Sequence, residues 1–237
     1  MKKIFIYLTC LRFIPHWICY RKSSNYELIM QDIIRNVNQF CYGMNPKSFY
    51  TFCFLMTFYK MFRNIFYARV AVRHLYLKKI LGIFAAPQSF LDITSTSFIG
   101  GGLIIQHGYN TLVSPAKMGR NCWINQGVSI GHRSEVGQPE ISDFVRISAG
   151  ALVLGPLKIG RGATIAPGAV VMRNVPPYAI AMGNPAKIVG FNKTPQEIID
   201  FELVEYAENE RLPLSLLEKN YNKYYINRRE EIAAMMQ

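Results

Sequence analysis

Between Ile93 and Val171 an aliphatic residue returns every six positions. The rungs include Met118-Gly-Arg-Asn-Cys-Trp, Ile124-Asn-Gln-Gly-Val-Ser, Ile141-Ser-Asp-Phe-Val-Arg and Ile147-Ser-Ala-Gly-Ala-Leu. Val153-Leu-Gly-Pro-Leu-Lys, Ile159-Gly-Arg-Gly-Ala-Thr and Ile165-Ala-Pro-Gly-Ala-Val continue them. One such rung cannot bury its own apolar residue, so successive rungs must stack into a solenoid with the opening aliphatics laddered inside. The Gly, Asn, Asp and Ser positions turn its corners.

The beat changes on both sides. Ser24-Asn-Tyr-Glu27 reads as a capping box ahead of Ile29, Ile33, Val37 and Phe40, which share one helical face. From Phe49 to Leu81 the mixture of Phe, Tyr, Leu, Lys and Arg predicts one or two basic amphipathic helices. Beyond the repeats, Val175 to Gly190 predicts an extended strand or hairpin closing the solenoid end. Thr194-Pro-Gln-Glu197 is a second capping box and Ser215-Leu-Leu-Glu218 a third, so the tail reads as two short helices split near Pro213. Three regions follow: a helical, basic 1–91, a repeat domain 92–190 and a helical tail 191–237.

Composition adds charge and compartment. Half of the 237 residues are hydrophobic, which fits a folded chain and not a disordered one. The net charge of +12 is concentrated in residues 1–90, which carry 13 Lys/Arg against 2 acids. That segment reads either as a surface for an anionic membrane or lipid-linked polyanion, or as a cap packing on the solenoid and on neighbouring chains. Its apolar runs are interrupted by Arg12, His16, Lys47 and Lys60, well short of the roughly 20 residues a spanning helix needs. Lys2-Lys3 followed by a short apolar run suggests a leader, but Arg12 breaks the run and no small-x-small site follows. The expected location is therefore cytoplasmic, at most peripheral at the inner face of the membrane. Nucleic acid is not expected, since no binding motif accompanies the charge. Five cysteines without C-x-x-C spacing predict neither a disulfide framework nor a zinc site. His107 and His132 are the only histidines in the repeats, too few for a three-histidine metal centre.

The rungs, the Ile105-Gln-His-Gly108 element and the ending Val175-Pro-Pro…Gly183-Asn-Pro-Ala-Lys-Ile-Val-Gly190 resemble the hexapeptide-repeat acyltransferases, on the serine acetyltransferase branch. The resemblance covers about residues 90–190. It implies a left-handed parallel β-helix with three rungs per coil. It also implies a homotrimer and acetyl-CoA as co-substrate in the cleft between neighbours, with no permanently bound cofactor. His107 matches the family's catalytic histidine, and Asp92 stands where the family supplies that histidine's carboxylate partner. A neutral imidazole takes the acceptor's hydroxyl proton, and the carboxylate stabilises the imidazolium that forms. Backbone N–H groups near Gly131 or Ala149 are candidates for the oxyanion. Ala149 and Pro167 match main-chain contacts to the pantetheine arm, although Pro167 offers only a carbonyl. Arg161 and Lys187 read as CoA-phosphate ligands or as solvated corner charges.

On the acceptor side the candidates are Gln106, His132 and Gln138. The family carries an Arg-His-Pro element after a long loop, whereas this chain has Gly137-Gln138-Pro139 after a shorter one. A guanidinium fork for an amino-acid carboxylate is therefore missing from its expected place. On that ground the expected acceptor is a sugar hydroxyl in surface-polysaccharide assembly. Serine O-acetylation for cysteine synthesis and a non-catalytic scaffold remain as alternatives.

Overall fold

The computed structural model describes residues 9–70, 75–94, 98–133 and 137–226. The Lys2-Lys3 opening lies outside these residues. A 3-10 turn at Leu11–Phe13 leads into helices α1 (Ile14–Lys22), α2 (Tyr26–Phe40), α3 (Phe49–Phe58), α4 (Lys60–Val70) and α5 (Leu75–Phe84). Among the described residues the stretch predicted to hold one or two helices shows three, and Tyr59 leaves helical geometry between α3 and α4.

The apolar stripe of α2 buries Ile29, Ile33 and Val37, as its spacing predicts. The capping box ahead of it does not form. Asn25 is the cap residue without a capping bond, and its side-chain amide instead donates to the Arg69 carbonyl at 2.8 Å. On α4 the amphipathic reading also fails in part, since Arg63, Asn64 and Arg69 are buried. Each finds partners there: Arg63 donates to the carbonyls of Met56 and Ala86, and Asn64 to those of Gln88 and Leu91. Buried polar groups satisfied in this way hold the helices in one arrangement instead of facing water.

Arg69 joins the helices to the solenoid. Its guanidinium pairs with Asp32 at 3.0 Å and donates to the carbonyls of Ile99 and Gly100. Asp32 in turn accepts from the Leu103 amide at 2.9 Å. Burial pushes the Asp32 carboxyl upward while Arg69 pulls against it.

The solenoid begins at β1 (Leu91–Ile93) and makes about four coils of short strands. One face stacks β1, β3 (Thr111–Val113), β6 (Ser129–Gly131), β9 (Leu152–Leu154) and β12 (Val170–Val171). A second stacks β4 (Lys117–Met118), β7 (Glu140–Ile141) and β10 (Lys158–Ile159). The third stacks β2 (Ile104–Ile105), β5 (Trp123–Ile124), β8 (Arg146–Ile147), β11 (Thr164–Ile165) and β13 (Ala179–Met182). Pairing within the stacks is parallel, as when Leu152 meets Val170, 18 residues on and three rungs later. Inside, Ile124, Ile147 and Ile165 ladder on one face, Met118, Ile141 and Ile159 on the next, and Val113, Ile130, Val153 and Val171 on the last. Each buried aliphatic contributes about 1.5–3 kcal/mol, so the six-residue beat is the core itself.

The predicted hairpin is present: β14 (Lys187–Phe191) pairs antiparallel with β13 and closes the stack. The tail forms α6 (Pro195–Glu205), α7 (Leu214–Tyr221) and a π-helical turn over Asn222–Ile226. Thr194 and Glu197 make their capping box as read, with both reciprocal bonds in place. The Ser215 box does not form, because the Pro213 carbonyl already accepts from Leu216 and Leu217 and starts the helix at Leu214.

Candidate active site

Register singles out the corner that carries His107. From Ile105 on β2 to Leu112 on β3 the chain takes seven steps. The equivalent passages, Ile124 to Ser129, Ile147 to Leu152 and Ile165 to Val170, each take five. His107 and Gly108 are therefore a two-residue insertion that bulges out of the coil. His107 adopts a left-handed φ of 60°, a region that costs an ordinary side chain energy and that His enters more readily than most. A Cβ at Gly108 would crowd the side chains of Met61 at 2.9 Å and Leu91 at 3.0 Å. The imidazole is exposed, and its nitrogens have no hydrogen-bond partner among the described residues.

One side of the bulge is walled by the helical region. A pocket of about 240 Å³ is lined by His107, Gln106 and Ile105 from the solenoid and by Asn36, Phe40, Tyr59, Met61 and Phe62 from α2 to α4. Phe40 and Tyr59 stack at 5.1 Å between ring centres. The sequence reading missed this wall. Phe40 was visible only as part of an apolar stripe, and nothing in the spacing of Asn36 or Tyr59 points at a histidine 48 or more residues away.

Below the bulge the corner continues as a column. The amide of Gly127 bonds the Tyr109 carbonyl, Gly150 that of Gln126 and Gly168 that of Ala149. Tyr109, Gln126, Ala149 and Pro167 thus stack one per coil along the edge that His107 heads. With strands about 4.8 Å apart, Ala149 lies about 10 Å and Pro167 about 14 Å along the axis from the His107 coil. The Ala149 N–H has no acceptor among the described residues. Ala186 bonds Val170 at 2.9 Å on this same edge, and the exposed Lys187 follows it. Lys187 shares a cleft of about 510 Å³ with Arg173 and Lys223 at the solenoid's closing end. Gln106, His107, Ala149, Pro167 and Lys187 are therefore brought to one edge.

Asp92 lies on β1 of the coil that carries His107, exposed and opposite Leu112 in register. No hydrogen bond joins it to His107 among the described residues.

The other candidates stand elsewhere. The passage from Ile130 to Ile141 takes eleven steps, against five from Val113 to Met118 and six from Val153 to Ile159. This second insertion leaves from Gly131 at the opposite edge of the β1–β12 face and carries His132, which is exposed, and Gln138. The amide of Gln138 donates to Ser114 Oγ at 2.7 Å, fixing the loop's return to the coil above. Within one chain, His132 and Gln138 do not meet His107.

Arg161 is engaged by the carboxy-terminal tail. Its guanidinium donates to Glu202 of α6 at 2.6 Å and to the Glu210 carbonyl at 3.0 Å, and it lies over the Tyr206 ring. Glu202 is buried and also accepts from the Tyr178 hydroxyl and the Leu212 amide. Burial and the Glu202 carboxylate push the Tyr178 hydroxyl pKa upward. The acidic, aromatic tail is thus a packing element held on by Arg161.

No protein-family model matches the chain. The serine acetyltransferase of Mycobacterium tuberculosis is 38% identical over 104 residues, 42% of this chain and 45% of that protein. That of Escherichia coli K12 is 36% identical over 121 residues, 48% of this chain and 44% of that protein. The chain therefore spans less than half the length of these curated relatives. A soybean serine acetyltransferase solved with serine is 30% identical, with a TM-score of 0.53, covering 70% of each chain. The chain belongs to the serine acetyltransferase family. The solenoid, the amino-terminal helices and the carboxy-terminal helices are the architecture of serine acetyltransferase structures.

Proposed function

We propose that this chain is an acetyl-CoA-dependent O-acetyltransferase with His107 as its general base. The observation that carries the reading is the single edge headed by His107, on which Ala149 presents an unpartnered N–H and Lys187 a cation. Acetyl-CoA lies along that edge, its thioester beside His107 and its phosphates toward Lys187. The acceptor oxygen attacks the thioester carbonyl carbon as its proton passes to the imidazole. The Ala149 N–H, two coils along the same edge, holds the pantetheine arm, and stabilising the oxyanion falls to main-chain donors nearer the His107 coil. The C–S bond then breaks and the imidazolium returns the proton to the CoA thiolate. Asp92 stabilises that imidazolium from the same coil.

The site is completed by a second copy. His132 and Gln138 stand at the far edge of the β1–β12 face, so a neighbour's loop reaches His107 in a closed trimer, where one chain's own loop does not. L-serine is the first acceptor, on the strength of the relatives, which are serine acetyltransferases, one of them solved with serine. One observation favours a second reading, a sugar hydroxyl. Gly137 and Gln138 bring no cation to a carboxylate, and the Gln138 amide is already spent on Ser114. Incubating the purified chain with acetyl-CoA and L-serine, with CoA release and product mass as readouts, tests both. Saturable O-acetylserine formation supports serine. CoA release with a glycan acceptor and none with serine supports the sugar. Release with neither, together with absent CoA binding, removes the enzyme reading.

A further inference from the structure

We infer that α1 and α5 form a docking surface for an anionic lipid bilayer. The two helices adjoin, with Phe84 of α5 set edge-on against His16 of α1 at 6.5 Å between ring centres. On α1 and the 3-10 turn that leads into it, His16 turns inward and is buried, while Leu11, Ile14 and Ile18 are 72%, 43% and 48% exposed. On α5, Leu81 turns inward, while Ile80, Ile83 and Phe84 are 49%, 83% and 44% exposed. Aliphatic side chains standing this far out of a folded chain mark a contact surface.

Charge chooses the occupant. Arg12, Arg21, Lys22, Lys78 and Lys79 lie on the same elements, all exposed, and no Asp or Glu falls in residues 9–22 or 75–84. Only two acids exist in the first 90 residues, Glu27 and Asp32, and Asp32 is buried against Arg69. A second copy of this face would set cations against cations, which disfavours a self-contact. An anionic bilayer supplies the opposite sign for the lysines and an apolar layer for the isoleucines. No described helix is long and apolar enough to cross a membrane, so these helices lie on the surface. This inference does not depend on which acceptor the site takes.

Flotation of the full chain with vesicles tests it, comparing phosphatidylcholine alone with phosphatidylcholine mixed with phosphatidylglycerol. Binding to the anionic vesicles should be at least about ten-fold stronger and should weaken as salt is raised. Lys78→Glu with Lys79→Glu should abolish the preference, and Ile83→Ser should weaken binding to anionic vesicles. All three positions are exposed, so thermal melts should match the parent. Equal binding to neutral and anionic vesicles, no binding to either, or undiminished binding by the double lysine variant would each overturn the inference. So would an Ile83→Ser variant that keeps vesicle binding but breaks a soluble assembly, since the occupant would then be a second copy.

Discussion

His107 and Ala149 share one edge of the solenoid, two coils apart, the first raised on a bulge and the second presenting an N–H that no described residue accepts. The bulge has a cost that can be measured. At a φ of 60° glycine is at ease where histidine is strained. His107→Gly should hold or raise stability, by up to about 1 kcal/mol, while removing the base. Thermal melts and turnover would move in opposite directions. A variant that lost stability and activity together would mark His107 as a structural residue.

The Glu202 carboxylate holds Arg161, Tyr178 and the Leu212 amide at once. Glu202→Ala leaves a guanidinium and a hydroxyl without their partner and should cost about 3–5 kcal/mol. Early proteolysis within α6 and α7, with the solenoid strands still protected from hydrogen exchange, is the expected signature. CoA affinity should persist, because Arg161 serves the fold in this account. A loss of CoA affinity in a well-folded variant would return Arg161 to the binding site.

His16 sets a pH dependence for the helical region. Burial, with Arg63 nearby, lowers its pKa from 6.5 to about 4, and its Nε2 shares a 2.9 Å hydrogen bond with Tyr67. As pH falls, the unfolded chain takes up this proton before the folded chain does. The contribution is whole above pH 6.5 and is lost between 6.5 and about 4, on the order of 3 kcal/mol in all and about 2 kcal/mol of it by pH 5. Urea midpoints of the parent and of His16→Phe, compared at pH 7 and pH 5, should show a drop in the parent that the variant lacks. Parallel slopes would place the acid sensitivity elsewhere.

What could be read in the sequence was what repeats or acts locally. Ile124, Ile147 and Ile165 announce the core because each rung needs its neighbours, and Thr194 with Glu197 announces a helix start across four residues. The rest depends on partners far along the chain. Arg63 and Arg69 looked like the polar side of a surface helix, and only the carbonyls of Met56, Ala86, Ile99 and Gly100 explain their burial. Arg161 looked available for a phosphate until Glu202, 41 residues on, took it. His107 was found by resemblance, whereas the insertion that lifts it out of the coil emerges only when strands are counted in register.

The central claim is that His107 removes the acceptor's proton in transfer from acetyl-CoA. The direct measurement pairs CoA affinity with turnover for the parent and His107→Ala, using whichever acceptor the parent accepts. The account predicts CoA affinity near the parent's and turnover lower by about 10²–10⁴-fold. An alanine variant that turns over at a rate close to the parent would contradict it.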